Sequence, residues 1–382
     1  ARETPLNLAI MVPRFGGRRG GVEPKKAVRE AEAPIVSRRG SHPIDLLEAN
    51  PRGEEGELPL ACHVEVAHHT VTNWGGRHSN EDRIMCHKDV LPRNSTDFHT
   101  VGVLDGHDSD CASDMVSRCL PPAVSSRLKA GDPVVEAYTA TMADLESKLK
   151  EIHSSAGTCV LSCTIAGRYV WCANLGDCRA GLIPLEVSEG APPEASAALP
   201  SAPTSAAARP PEVSQLVWVS RDHKASAPEE MRRISAAGGM VIDGRVEGLE
   251  PSRTLGDFDV KSQVKHDVIS IVPEIRLWQL GNGTEKSQAL LVCGTDGIWD
   301  VLTAQDVCDI INARKELAKL QACIGTGLDL DKQVLKDIAE DLVQLSLGKG
   351  SRDDCTAVVG LISVSPESAG GERIPRDNAT RR

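Results

Sequence analysis

Aromatic residues are scarce in this chain, with 3 Phe, 2 Tyr and 5 Trp among 382 residues. With so few large rings, Val, Leu, Ile, Ala and Cys must fill most of any core. Hydrophobic residues still make up 40% and charged residues 25%, which is ordinary globular usage, so a sizeable core is available. Positive charge is also short: 43 Lys and Arg stand against 54 Asp and Glu, for a formal charge of −11. That balance argues against a general nucleic-acid binder, because neutralising phosphates needs a basic surface. No apolar run approaches the roughly 20 residues that span a bilayer. Twelve cysteines are present but no CxxC pair, which leaves a structural zinc site little support. Several lie inside apolar runs, as Cys159 and Cys163 do, and read as reduced, small core residues.

What the chain does have is five short acidic stretches: Asn80-Glu81-Asp82, Asp105-Gly106-His107, Gly176-Asp177, Asp296-Gly297-Ile298-Trp299-Asp300 and Arg352-Asp353-Asp354. Most follow a run that reads as a β-strand. Taken singly, each is an ordinary turn or cap. Their recurrence at strand ends points instead to carboxylates that converge in space. Like charges gathered this way need a shared proton or a bound cation. An all-oxygen set suits Mg²⁺ or Mn²⁺ rather than zinc or copper.

The pattern along the chain predicts three regions. Residues 1–60 are rich in Arg, Glu, Gly and Pro, lack sustained periodicity and read as a disordered extension. A packed domain is expected over 61–364, with a low-complexity Pro/Ala/Ser/Glu insertion at 184–213, and a polar tail over 365–382. Strands are expected at 62–72 and 98–104, then helices after Asp105 and after Pro133. Strands at 159–165, 169–174 and 178–183 are separated by turns so short that antiparallel hairpins are expected throughout. A helix entered through Pro228 and closed by Gly238-Gly239 follows. A strand at 289–293 leads to Asp296, and Thr303 with Asp306 forms a capping box for the next helix. One more helix (331–347) and a strand (355–362) complete the domain. Hairpins alternating with helix pairs give an α+β architecture of two antiparallel sheets flanked by helices.

The ordered set of motifs is more specific than any member. Arg77-x-x-Asn80-Glu81-Asp82, Val103-Leu104-Asp105-Gly106-His107, Ala173-Asn174-Leu175-Gly176-Asp177, Asp222-His223-Lys224, Ser252-Arg253-Thr254-Leu255-Gly256-Asp257, Asp296-Gly297-Ile298-Trp299-Asp300 and Gly350-Ser351-Arg352-Asp353 follow one another in the chain. Together they resemble the metal-dependent protein serine/threonine phosphatases of type 2C (the PPM family) over roughly residues 65–363. The resemblance implies a central sandwich of two antiparallel sheets with a dinuclear metal cleft at one end. It implies two Mg²⁺ or Mn²⁺ ions bridged by Asp105. The carbonyl of Gly106, with Glu81 or Asp82 nearby, would complete one site, and Asp296 and Asp353 would hold the other ion. Asp177 and Asp300 would serve a weaker third ion. Arg77 would bind the substrate phosphate and His107 would protonate the leaving alkoxide. Water activated between two cations would then attack phosphorus in line.

Three departures from the family pattern stand near these residues. Asp108 and Ser109 replace the usual Gly pair after His107, Asp354 replaces an Asn, and Glu250-Pro251 replaces smaller or apolar residues. The leading expectation is an enzyme, a metal-dependent hydrolase of phosphoserine and phosphothreonine in phosphoprotein substrates. The alternative is a catalytically idle module that keeps the fold to bind phosphoproteins or a partner. The chain is expected to act as a monomer, without nucleic acid or a membrane span. It is expected to be soluble and intracellular, in cytoplasm or nucleus, with the arginines of residues 1–60 leaving organelle targeting open. It begins with Ala rather than Met, so a preceding segment is expected.

Overall fold

The computed structural model describes residues 36–37, 60–72, 78–91, 96–152, 155–185, 216–281, 285–322 and 332–366. In chain order the elements are β1 (Val36–Ser37), β2 (Leu60–Val71), β3 (Arg83–Leu91), β4 (Thr96–His107), α1 (Cys111–Ala130), α2 (Val134–Glu151), β5 (Gly157–Ala166), β6 (Tyr169–Leu175), β7 (Arg179–Leu185) and β8 (Val217–Trp218). There follow α3 (Pro228–Ala237), β9 (Leu255–Gly256), α4 (Phe258–Lys261), β10 (Glu274–Gln279), β11 (Ser287–Gly294), α5 (Asp296–Trp299), α6 (Ala304–Ala322), α7 (Lys332–Gly348) and β12 (Cys355–Pro366).

The strands form two sheets. One runs β1-β10-β6-β5-β4-β3, with β9 pairing β5; the other runs β2-β12-β11-β7-β8. All pairings are antiparallel except the short parallel contact of β1 with β10. Alternation along the central strands explains the layering. On β11, Ala289, Leu291 and Cys293 face the space between the sheets, while Leu290 and Val292 face α6 and α7. On β5, Leu161, Cys163 and Ile165 face the same inter-sheet core, and Val160 faces α1 and α2. Period-2 side chains buried on both faces require a helical layer on each side, and the result is helix–sheet–sheet–helix. Cys159, Cys163, Cys172, Cys178 and Cys293 are free thiols that fill the inter-sheet core where aromatics are lacking.

Helix ends follow local chemistry. Gly131 and Gly238 take left-handed conformations at the ends of α1 and α3 and donate back to the preceding turn. Thr303 and Asp306 form the reciprocal capping box at α6, with the Thr303 amide donating to Asp306 Oδ2 at 2.7 Å and the Asp306 amide to Thr303 Oγ1 at 3.3 Å.

Several expectations are corrected. Strands β3 and β10 were not among those expected. β3 carries His87-Lys88-Asp89, and the buried Glu274 and Arg276 of β10 are paired with each other at 3.1 Å. The turn after β6 is not a hairpin: β6 and β7 belong to different sheets, so the chain crosses the sandwich at Gly176-Asp177. Gly176 has φ +111°, and a Cβ there would collide with Cys159 Sγ, so glycine is required at the crossing. The insertion begins later than residue 184, because Pro184 and Leu185 pair with β11. Proline is tolerated there, since β8 covers β7 only at Gly181 and Leu182. The final strand extends through Ser365 and Pro366. The rest of the predicted insertion, the remainder of the tail and nearly all of 1–60 lie outside the described residues, as do the side chains of Leu317 and Leu320.

Candidate metal centre and active site

The crossing at Gly176-Asp177 opens one end of the sandwich. At that end β4 stops after Asp105-Gly106-His107, β11 stops at Gly294 beside Arg179 and Ala357, and β12 begins. Strand ends from both sheets therefore deliver Asp105, Asp177, Asp296 and Asp353 to one cleft. The cleft measures about 490 Å³ and is also bordered by His78, Glu81, His107, Arg245 and Glu250.

Asp105, Asp177 and Asp296 converge most tightly, each offering a carboxylate oxygen within 4.8 Å of the others. Burial, and then the charge of the neighbouring acids, pushes Asp105 and Asp296 well above the usual carboxylate range. Asp177 is raised mainly by burial. Its Oδ1 accepts from Cys159 Sγ at 3.2 Å, while its buried Oδ2 has no hydrogen-bond partner among the described residues. Three crowded carboxylates and a buried oxygen without a partner are the donor set of a hard divalent cation. The residues present fit Mg²⁺ or Mn²⁺.

The remaining candidate residues differ in where they lie. Glu81 borders the cleft and its carboxyl is raised, first by burial. Asp82 lies buried behind the cleft, accepts from Thr295 Oγ1 at 3.0 Å, and is pushed up to about 7 by its burial. Gly106 is buried at the end of β4, close to the Glu81 carbonyl. Asp353 borders the cleft outside the tight trio, and its Oδ1 accepts from the Asp354 amide at 2.8 Å. Asp300 is separate: it is half-exposed and bound to Lys224 Nζ at 2.9 Å, with Glu250 on the same ammonium at 2.8 Å. Asp177 sits with Asp105 and Asp296 in the cluster. Arg77 lies outside the described residues.

His107 projects into the cleft from the end of β4, and its Nε2 lies 2.7 Å from Asp257 Oδ1. Burial works against its charged form, but the bond to Asp257 and that carboxylate's charge outweigh it and raise the histidine's pKa. The departures from the family pattern also find physical roles. Asp108 has φ 63°, a left-handed conformation that glycine adopts freely and aspartate tolerates. Asp354 Oδ2 accepts from the Glu81 amide at 2.8 Å, a bond that an asparagine oxygen would also accept. Glu250 joins Lys224 to Arg245, each at 2.8 Å. His223 is buried and ties β10 to the crossing: its Nε2 lies 3.4 Å from Glu274, and its Nδ1 accepts from the Gly176 amide at 3.2 Å.

A two-sheet sandwich with three clustered carboxylates beside a histidine is an arrangement suited to binding a metal ion. The family model of protein phosphatase 2C matches residues 66–355, well over half of the chain. The chain belongs to the protein phosphatase 2C family, whose members are metal-dependent protein serine/threonine phosphatases. Probable protein phosphatase 2C 22 of Arabidopsis thaliana is 26% identical over 310 residues, covering 76% of this chain and 67% of the relative. Protein phosphatase 1B of Rattus norvegicus is 32% identical over 166 residues, which is 43% of this chain and 38% of the relative. The chain spans only part of the length of these relatives. Among solved structures, the serine-threonine phosphatase 2C of Toxoplasma gondii superposes with a TM-score of 0.55 at 18% identity, covering 80% of this chain and 99% of that one. A sex determining protein of C. elegans gives a TM-score of 0.56 at 18% identity, covering 78% and 64%. These likenesses show the α+β sandwich fold. No helix among the described residues is long and apolar enough to cross a membrane.

Proposed function

We propose that this chain hydrolyses phosphoserine and phosphothreonine in proteins, with two Mg²⁺ or Mn²⁺ ions held by Asp105, Asp177 and Asp296 and bordered by Glu81 and Asp353. The observation that carries this reading is the three carboxylates within 4.8 Å at the cleft. When bound, the cations lower the pKa of water and offset charge on the phosphoryl oxygens. The remaining work falls to the chain's own side chains. Asp105 and Asp296 bring negative charge that draws cations into a buried site, where electrostatic attraction is stronger than in water. His107 gives a proton to the serine or threonine oxygen as its bond to phosphorus breaks, because an alkoxide leaves poorly without one. Arg77, by the family resemblance, pairs with two phosphate oxygens through its planar fork. Asp108 and Asp354 keep the local backbone and hydrogen bonds intact, which favours the enzyme over an idle binding module. The test is phosphate release from a phosphothreonine peptide with Mn²⁺ and with EDTA. Binding of the peptide without turnover at saturating Mn²⁺ would support the idle module instead.

A further inference from the structure

Asp257 stands out among the buried charged groups outside the carboxylate cluster. Its side chain is only 1% exposed, yet it belongs to a loop rather than to the central strands. Three neighbouring strands bring it to the cleft. His107 of β4 is in register with Gly157 of β5, and Gly157 is in register with Gly256 of β9, so residue 257 emerges beside the imidazole. A Cβ at position 157 would collide with both Asp257 Oδ2 and His107 Nε2, so glycine there leaves the space in which the two side chains meet. Asp257 holds φ 54°, a conformation non-glycine residues take at some cost, and several contacts fix it there. Its amide donates to the Ala156 carbonyl at 3.3 Å, its Oδ2 accepts from Thr254 Oγ1 at 2.5 Å, and its Oδ1 meets His107 Nε2 at 2.7 Å.

A carboxylate buried, strained and locked on its far side has one free direction, toward the histidine. We infer that Asp257 is a positioning residue for His107, an inference that rests on the phosphatase reading. The carboxylate accepts Nε2–H, fixes the ring plane and leaves Nδ1–H for the leaving oxygen. In the step it serves, a water oxygen bonds to phosphorus and the phosphorus–oxygen bond to serine or threonine breaks. The released electron pair takes the proton from His107 Nδ1, the water's own proton passes to solvent, and Nε2–H stays with Asp257. The logic is that of an aspartate that orients a histidine without itself taking the proton.

A role exercised through the departing proton depends on the leaving group, whereas a merely structural one does not. The experiment compares a phosphothreonine peptide, whose alkoxide needs a proton, with p-nitrophenyl phosphate, whose phenolate does not. Asp257→Asn keeps the side-chain shape and suits the left-handed backbone. It is expected to lower kcat on the peptide by about tenfold or more, within the range a general acid supplies. On the aryl phosphate the loss should be less than about threefold, with KM and the Mn²⁺ half-saturation unchanged. His107→Gln should show the same selectivity, and Asp257→Asn combined with His107→Gln should lose no more than His107→Gln alone. Equal losses on both substrates, or losses that add in the double variant, would overturn the inference. A wild-type chain that turns over neither substrate with Mn²⁺ would instead remove the phosphatase reading beneath it.

Discussion

Removing divalent cations is expected to destabilise the fold at neutral pH, and mild acid is expected to restore part of the loss. The cause is the crowded cluster. Asp82 is pushed to about 7 from an ordinary 3.8, and burial and neighbouring acids raise Asp105, Asp177, Asp296 and Asp353 in the same direction. A carboxyl raised in this way keeps its proton in the folded chain at a pH where the unfolded chain has lost it. The folded state then binds more protons, so stability is greatest at low pH and falls as pH rises through the folded pKa. Asp82 alone corresponds to on the order of 4 kcal/mol between its ordinary 3.8 and about 7, of which roughly 1 kcal/mol is recovered between pH 8 and 6.5. A cation bound at 100 times its Kd returns about 2.7 kcal/mol per site. For a domain of about 300 residues that shifts Tm by roughly 4 °C per site. Buried His99 and His223 have lowered pKa values and act in the opposite sense below their ordinary 6.5, so the comparison belongs between about pH 8 and about pH 6.5. Scanning calorimetry should show Tm falling with EDTA at pH 8, and the metal-free Tm rising as pH drops to 6.5. Asp105→Asn should flatten that rise. A metal-free Tm that stays level or falls over this window, or one indifferent to EDTA, would refute the reasoning.

Other predictions follow from single contacts. Asp354→Asn keeps an acceptor for the Glu81 amide but removes a charge beside the cleft. Mn²⁺ affinity by equilibrium dialysis should weaken about threefold to tenfold while the urea midpoint holds. Glu230 is buried against Arg253, with Oε1 and Nη2 2.5 Å apart, and against Arg233 at 2.8 Å. Burial opposes its charge, but the arginines outweigh that and hold it near 2, so its contribution is full above its ordinary 4.5 and fades as pH falls toward 2. Glu230→Gln leaves a buried arginine unbalanced and should cost about 3–5 kcal/mol in urea unfolding at pH 7. Gly176→Ala forces a Cβ onto Cys159 at a positive φ and should cost about 1–3 kcal/mol, with weaker Mn²⁺ binding because Asp177 moves.

Much of the fold was legible because its signals are local. Pro228 and Gly238 bound α3, the 3.6-residue apolar repeat marks α2, and the buried runs of β5 and β11 need no partner to be read. β10 alternates polar and apolar residues over Glu274-Ile275-Arg276-Leu277, but its polar face is buried, and Glu274 and Arg276 can lie there only because each pairs with charge inside the fold. The crossing after β6 has the length of a hairpin turn, and nothing in its three residues says which sheet the next strand joins. The same limit applies to the site. The acidic stretches announce carboxylates at strand ends, but not which of them meet. Asp300 is held by Lys224, 76 residues away, and His107 is held by Asp257, 150 residues away, and neither pairing leaves a mark in the local sequence.

The most direct measurement is Mn²⁺-dependent hydrolysis of a phosphothreonine peptide by the wild-type chain and by Asp105→Asn, side by side, with circular dichroism to show that both are folded. Asp105 belongs to the tight trio with Asp177 and Asp296, so removing its charge should abolish cation binding and turnover together. The account predicts turnover that rises with Mn²⁺ in the wild type, disappears with EDTA and is lost in a folded Asp105→Asn. Full activity in EDTA, or in the substituted chain, would contradict it.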